Sequence, residues 1–294
     1  MFESDRKLES SVDERSDTSS IGGAGATDSS SGVAELKKVV SYMKAHWPSK
    51  VKKEWQVAVE EYPAILEKVV SEFSAGATFN RRLIRVAGIS GSGKTTQILP
   101  AVEAYSAARE LKPVLVAARR FVKYHPHYAE IMDYYGEADV RKMTDEFATI
   151  MLFLCMSELV KMGCDIVLDV TLLDPEMEGI LLKMLKNGKY EMMLLMVAVS
   201  PAVTEKFLAG RAWRHTAETE AEFVRATSKA LKFYAEVMPE ERVVIWSVYD
   251  LLPVYDGKMA GCLETFEEYS MRTDMPSPDD NERREAKIKY LARH

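Results

Sequence analysis

Leu83-Ile84-Arg85-Val86-Ala87-Gly88-Ile89-Ser90-Gly91-Ser92-Gly93-Lys94-Thr95-Thr96 decides the fold. Its first half is a short apolar run suited to a buried strand. Its second half is G-x-x-x-x-G-K-T, the Walker A phosphate-binding loop. Gly88, Gly91 and Gly93 let the backbone take positive φ and wrap closely round an oxyanion. The N–H groups of Ser90, Ser92 and Thr96, with the start of the next helix, add partial positive charge for phosphate. Lys94 would reach the β- and γ-phosphates, and the Thr95 hydroxyl would coordinate Mg²⁺. The run from Thr96 to Glu110 is expected to be helical, with Pro100 as a kink.

Downstream, apolar runs alternate with helical patterns. Pro113 to Ala118 reads as a second strand, ending in Arg119-Arg120-Phe121-Val122-Lys123-Tyr124-His125-Pro126-His127-Tyr128. Pro126 keeps His125 out of helix, so this is a loop beyond a strand's C-terminal end, where open α/β sheets bind ligands. Residues 129 to 137 read as helix. Thr144 is placed to cap a long helix closed by Gly163. Asp165 to Thr171 reads as a strand that delivers Asp169 to the ligand edge, as a carboxylate for Mg²⁺ or its waters. Residues 175 to 187 and 202 to 237 read as helix, and Met192 to Val199 and Val243 to Val248 as strands. Alternating strands and helices imply a parallel sheet. The fold class is therefore α/β, a P-loop kinase-like three-layer fold preceded by a helical extension.

The division expected is a Ser/Gly/acidic disordered segment at 1–32, a helical extension at 33–79, the nucleotide domain at 80–273 and a charged tail at 274–294. Val33, Leu36, Val40, Met43 and Trp47 recur at helical spacing, and a second helical stretch runs from Trp55 to Phe73 with Pro63 inside it. This extension is expected to pack on the domain of its own chain. A short helix from Asn281 is expected in the tail.

The chain has 294 residues, 47% of them hydrophobic, and a net charge of -6. That balance argues against a nucleic-acid binder with an overall basic surface. No apolar run reaches membrane-spanning length and no hydrophobic signal core is visible, so the expected location is cytoplasmic. Cys155, Cys164 and Cys262 lack metal-ligand spacing and read as thiols of a reducing compartment. His125 and His127 have no third ligand at suitable spacing, and a loop-ordering or substrate-edge role is expected for them.

These pieces together resemble the zeta toxin family, P-loop kinases of toxin–antitoxin modules that phosphorylate the 3′-hydroxyl of UDP-N-acetylglucosamine. The matching segments are Gly88 to Thr95, Phe121 with His125-Pro126-His127-Tyr128, Asp169-Val170-Thr171 and Arg225-Ala226-Thr227. The resemblance covers roughly residues 80 to 250. It implies ATP or GTP with Mg²⁺ as cofactor, bound through Gly88 to Thr96, and a nucleotide sugar as substrate. It also implies an inhibitory protein partner. Asp169 and Thr171 would contact the sugar nucleotide, where the family has Glu-Gly-Thr. Arg211 and Arg225 would neutralise charge on the transferred phosphoryl group, with Arg214 as the alternative to Arg211.

One position departs from the pattern. The family's general base is an aspartate two residues before the phenylalanine of F-x-x-x-H-P, and here that position is Arg119. A guanidinium cannot accept a hydroxyl proton. A slipped match does not restore a carboxylate, because Ala117, Ala118 and Arg120 supply none. Either another acid serves, Asp169 or Asp174, or the chain is a divergent relative that binds nucleotide without efficient transfer. General-base help is worth about two to four decades in rate, so its loss need not abolish transfer.

Overall fold

The computed structural model describes residues 29–46, 48–170, 175–208, 217–273 and 279–294. Trp47, Thr171, Asp174, Arg211 and Arg214 lie outside the described residues, as do residues 1–28.

Two helices precede the sheet, α1 (Ser29–His46) and α2 (Tyr62–Ser74). Pro63 stands in the first turn of α2 and not inside a longer helix, because a proline there gives up only an N–H that has no intrahelical partner. Residues 48–61 hold only a short 3₁₀ turn at Lys53–Trp55. Strand β1 (Arg82–Ala87) leads into the phosphate loop. A wide π-type turn at Lys94–Ile98 follows, and then α3 (Leu99–Ala107). Pro100 lies in the first turn of α3, so the expected kink is a change of helix type just before the residue that lacks an N–H.

Strand β2 (Val114–Val116) is shorter than expected, since α4 (Ala118–Phe121) begins before Arg119. After the His125-Pro126-His127 turn come α5 (Tyr128–Tyr135) and α6 (Glu137–Met143). Gly136 separates them at φ 81°. Helix α7 (Asp145–Met162) ends at Gly163, whose φ of 77° is the left-handed C-terminal stop the sequence signalled. Thr144 precedes α7 but does not cap it through its side chain. Its buried hydroxyl instead donates back to the Val140 carbonyl at 2.8 Å.

Strand β3 (Ile166–Asp169), α8 (Pro175–Asn187), β4 (Glu191–Ala198), α9 (Pro201–Leu208), α10 (Ala217–Val237) and β5 (Arg242–Ser247) continue the alternation. Edge strand β6 (Tyr255–Lys258), α11 (Leu263–Met271) and α12 (Asp280–Arg293) complete the chain.

The sheet order is β2-β3-β1-β4-β5-β6, parallel except for β6. From β1 the chain moves two places out to β2, returns to β3 beside β1, then crosses to β4 on the other side. Strand order thus reverses at β1, and the crevice at its C-terminal end is where such sheets bind ligands. The strands are buried on both faces, which is why they read as continuous apolar runs. Ile84, Val86, Leu195 and Trp246 face the layer of α3 and α12. Leu83, Leu168, Leu194 and Ile245 face α7 and its neighbours.

Helix α7 is buried on nearly all sides. The sheet covers one side, and α1 and α2 supply cover for the other. Tyr62 of α2 packs on Phe147 of α7, ring centres 5.7 Å apart. Phe73 stacks on Phe121 of α4 at 5.5 Å. Such ring pairs are worth about 0.5–1.5 kcal/mol beyond area burial. The three cysteines are unpaired and buried, and burial pushes the Cys155 thiol up to about 12. No helix among the described residues is long and apolar enough to cross a membrane.

Candidate active site

The phosphate loop leaves the C-terminal end of β1. Gly88 takes φ 144°, and a Cβ there would stand 2.8 Å from Ser92 Oγ and 3.1 Å from the Val197 carbonyl. Only glycine fits so close to its own loop and to β4. Gly91 and Gly93 also take positive φ, 75° and 90°. Lys94 Nζ donates to the carbonyls of Gly88 at 2.6 Å and Ile89 at 2.9 Å, so its ammonium folds over the loop. Ser92 is buried, and its hydroxyl oxygen meets no hydrogen-bond partner among the described residues. Ser90 is partly exposed, and Thr95 and Thr96 are exposed at the loop's outer end. A glycine cradle, an unsatisfied buried hydroxyl, an ammonium and an exposed threonine suit a Mg²⁺–nucleoside triphosphate.

Asp169 ends β3 and pairs in register with Val86, two residues before Gly88. Its side chain is 1% exposed, and Arg119 Nη1 reaches its Oδ2 at 2.5 Å. Arg119 thus arrives at the ligand edge on the first turn of α4, not directly at a strand end, and there it meets the one carboxylate that β3 supplies. The adjacent Arg120 is turned away. It donates to the Leu115 carbonyl and lies over the Phe73 ring at 4.2 Å.

Sequence reasoning missed Arg141. It belongs to α6, and its guanidinium feels the charges of Arg119, Asp145 and Asp169. Partial burial, then the Arg119 charge, push its pKa below the usual arginine range. Asp145 and Asp169 act in the opposite sense. Nothing in the order of residues signals this proximity, because α4, α5 and the turn between them bring the two arginines together.

His125 is buried. Its Nδ1 accepts the His127 N–H at 3.1 Å, and its ring meets the Phe147 ring edge-on at 4.8 Å. Burial, with His127 and Lys44 adding to it, pulls its pKa down to about 4. It is a neutral, loop-ordering residue at physiological pH. His127 lies 3.8 Å from Glu130. Among the described residues no group of three His, Cys, Asp or Glu side chains could hold a metal ion.

Arg225 is exposed in the N-terminal half of α10. Thr227 is buried there with its hydroxyl unpartnered among the described residues. Farther along α10, Tyr234 joins a fully buried cluster. Arg85 of β1 donates from Nη1 and Nη2 to Glu178 of α8 at 2.7 and 2.8 Å. The Tyr234 hydroxyl meets both Arg85 at 2.9 Å and Glu178 at 2.7 Å. The strand behind the phosphate loop is thereby tied to α8 and α10.

A mainly parallel sheet with the phosphate loop after β1 and a buried carboxylate at the end of β3 defines a P-loop kinase-like α/β protein. The chain belongs to the zeta toxin family, whose sequence model matches residues 79–240, more than half of its length. A structure from the PezAT chromosomal toxin–antitoxin system of Streptococcus pneumoniae superposes with TM-score 0.61 and 20% identity. That match covers 83% of this chain and all of the other. A protein described as a candidate kinase from Chloroflexus aurantiacus shows 18% identity over 46% of this chain and 68% of its own, with TM-score 0.33. No curated protein matches the chain.

Proposed function

We propose that the chain is a nucleoside triphosphate-dependent phosphotransferase acting on a hydroxyl of a small molecule. A nucleotide sugar of the UDP-N-acetylglucosamine kind is the acceptor that family membership favours. The observation that carries the reading is the register of β1 and β3, which sets the buried carboxylate of Asp169 beside the strand that feeds the Gly88–Thr95 loop.

The loop would hold the triphosphate, with Lys94 on the β- and γ-phosphates. Thr95 and Asp169 are the residues that would hold Mg²⁺. Bound there, the metal ion supplies charge neutralisation at the phosphoryl oxygens. In the transfer, the acceptor oxygen bonds to Pγ, the bond from Pγ to the bridging oxygen breaks, and the nucleoside diphosphate leaves with that electron pair. The hydroxyl proton passes to a carboxylate or to water. Arg225, with Arg211 or Arg214, would neutralise the moving charge, and Thr171 would contact the acceptor. Similarity to a chain from a toxin–antitoxin system supports an inhibitory protein partner.

A second reading has one specific observation in its favour. Arg119 stands where the family carries its base, and it engages Asp169. On that reading the chain binds nucleotide and regulates without efficient transfer. Incubation with γ-labelled ATP or GTP and a sugar-nucleotide panel separates the two. Labelled sugar nucleotide that disappears in Lys94→Ala supports the kinase. Tight nucleotide binding with no labelled product supports the regulator. Unchanged nucleotide affinity and turnover in Lys94→Ala overturn both.

A further inference from the structure

We propose that a cavity at the edge of the sheet opposite the phosphate loop is a binding site for a small organic carboxylate, and that Arg109 takes the carboxylate. The site lies outside the nucleotide machinery, so the inference does not depend on the phosphotransferase reading.

The cavity measures about 250 Å³ and lies where β1, β3 and β4 begin. Its apolar walls include Leu83, Leu111, Pro113 and Met192, and Arg82, Arg109 and Arg242 stand among them. Helix α3 runs from the phosphate-loop side of the sheet to this edge and ends there. The N–H groups of Arg109 and Leu111 both donate to the Ser106 carbonyl, at 3.1 and 2.9 Å, and Glu110 turns the chain between them at φ 53°. This tight turn sets Arg109 and Leu111 into the cavity wall.

Most charged groups of the lining are already committed. Arg82 lies 3.8 Å from Glu191. Arg242 donates to both oxygens of Asp256, at 3.0 and 2.7 Å, and to the His294 main-chain oxygen at 3.4 Å. The Asp165 carboxylate accepts from the Thr78 and Asn80 side chains and from the N–H groups of Asn80 and Arg82. Arg109 differs. Its guanidinium lies over the Tyr105 ring at 4.0 Å and meets no acceptor among the described residues. A guanidinium stacked on a ring keeps its in-plane N–H donors, a fork whose spacing matches a carboxylate. The same wall holds Ser106, whose buried hydroxyl also has no partner among the described residues. The volume falls below the about 300–1,000 Å³ of sites for drug-sized ligands, so the space suits one ring and its acid group. An inorganic anion would leave the apolar wall unfilled.

An NMR titration of the full chain tests this, with benzoate as the probe and benzyl alcohol and inorganic phosphate beside it. Benzoate is expected to bind saturably with a dissociation constant of about 1 mM, usual for so small a ligand. The shifts should centre on the amides of Arg109, Leu111 and Met192. Arg109→Gln should weaken benzoate about tenfold or more. Arg109 holds no acceptor in the free protein, so its loss strands no partner and the variant should fold. Leu111→Trp, which fills the space from the half-exposed turn, should abolish the saturable shifts and serves as the second variant. Saturating Mg²⁺–ATP should leave the benzoate shifts in place. Benzoate affinity in Arg109→Gln within twofold of the unaltered protein overturns the proposal, as does undiminished binding in Leu111→Trp. Equal binding of benzyl alcohol or of phosphate overturns it too, and so does the absence of saturable shifts at these amides. Displacement of benzoate by Mg²⁺–ATP would put the carboxylate in the phosphate loop and likewise overturn it.

Discussion

Gln97 Nε2 donates to Asp280 Oδ1 at 3.0 Å, which fastens the turn after the phosphate loop to the last helix, 183 positions away. The same carboxylate accepts from Arg283 Nη2 at 2.5 Å, and Arg283 Nη1 reaches the Val248 carbonyl beyond β5 at 3.0 Å. Helix α12 therefore braces the phosphate-loop side of the sheet, with Leu291 buried against it.

Asp280→Ala removes one charged acceptor from the Gln97 and Arg283 side chains at once. Losing hydrogen bonds to a charged group costs about 1–3 kcal/mol. A fall in thermal midpoint of several degrees, together with weaker ATP binding by calorimetry, is the expected outcome. An unchanged midpoint and unchanged affinity would show that α12 is a passive cover.

Lys287 of α12 is fully buried, and its Nζ meets no hydrogen-bond partner among the described residues. Burial pulls its pKa down to about 8, with Arg283 adding to the shift and Asp280 and Asp250 opposing it. The folded pKa lies below the unfolded value near 10.5, so the buried charge penalises folding fully below pH 8, and the penalty fades as pH rises towards 10.5. Lys287→Met should therefore stabilise the protein by about 1–3 kcal/mol at pH 7 and by much less at pH 10. Urea unfolding at the two pH values checks the sign. A destabilised variant at pH 7 would mean that the ammonium has a partner the geometry does not show.

The parts of the site that lie contiguously in the chain were legible. The phosphate loop is a continuous motif, and Asp169 is announced by the apolar run before it. Gly163 and the proline-bounded His125 turn were readable because backbone conformation there depends on single residues. What stayed hidden depends on distant encounters. Arg85 interrupts an apolar strand, but its partners Glu178 and Tyr234 stand 93 and 149 residues on. Arg141 feels the charge of Arg119 only once α4 to α6 have folded. Strand β6 alternates between partly buried and exposed positions at the sheet edge, so it carries no buried apolar run. Helix α12 was legible as a short helix from Asn281, but its high charge hid that Leu291 packs it on the sheet.

The Arg85–Glu178–Tyr234 cluster yields a test of its own. Removing one partner of a fully buried ion pair costs about 3–5 kcal/mol because the other charge is left uncompensated, whereas replacing both with apolar groups is often tolerated. Glu178→Leu alone should strongly destabilise the protein, and Arg85→Met with Glu178→Leu should recover much of the loss. A double-mutant cycle by chemical denaturation measures this. Additive losses would show that the two charges do not act as a pair. Tyr234→Phe should cost less, about 1–2 kcal/mol, since it deletes one hydroxyl and keeps the ring.

His125 gives an acid-side prediction with a definite sign. Its folded pKa of about 4 lies below the unfolded value near 6.5, so the unfolded chain takes up a proton that the folded chain refuses. The stabilisation from keeping His125 neutral is present above pH 6.5 and is lost as pH falls towards 4. From pH 7.5 to pH 5 this amounts to about 2 kcal/mol from this one ring. The charges around it are His127, Lys44 and Glu130, and all three remain in a His125→Asn variant. That substitution keeps an acceptor for the His127 N–H while removing the titration. The unaltered protein should therefore lose about 2 kcal/mol more than the variant over this interval, read from urea unfolding in a pH series. Parallel losses in the two proteins would show that His125 takes up its proton without unfolding the loop, and the neutral, loop-ordering assignment would fall.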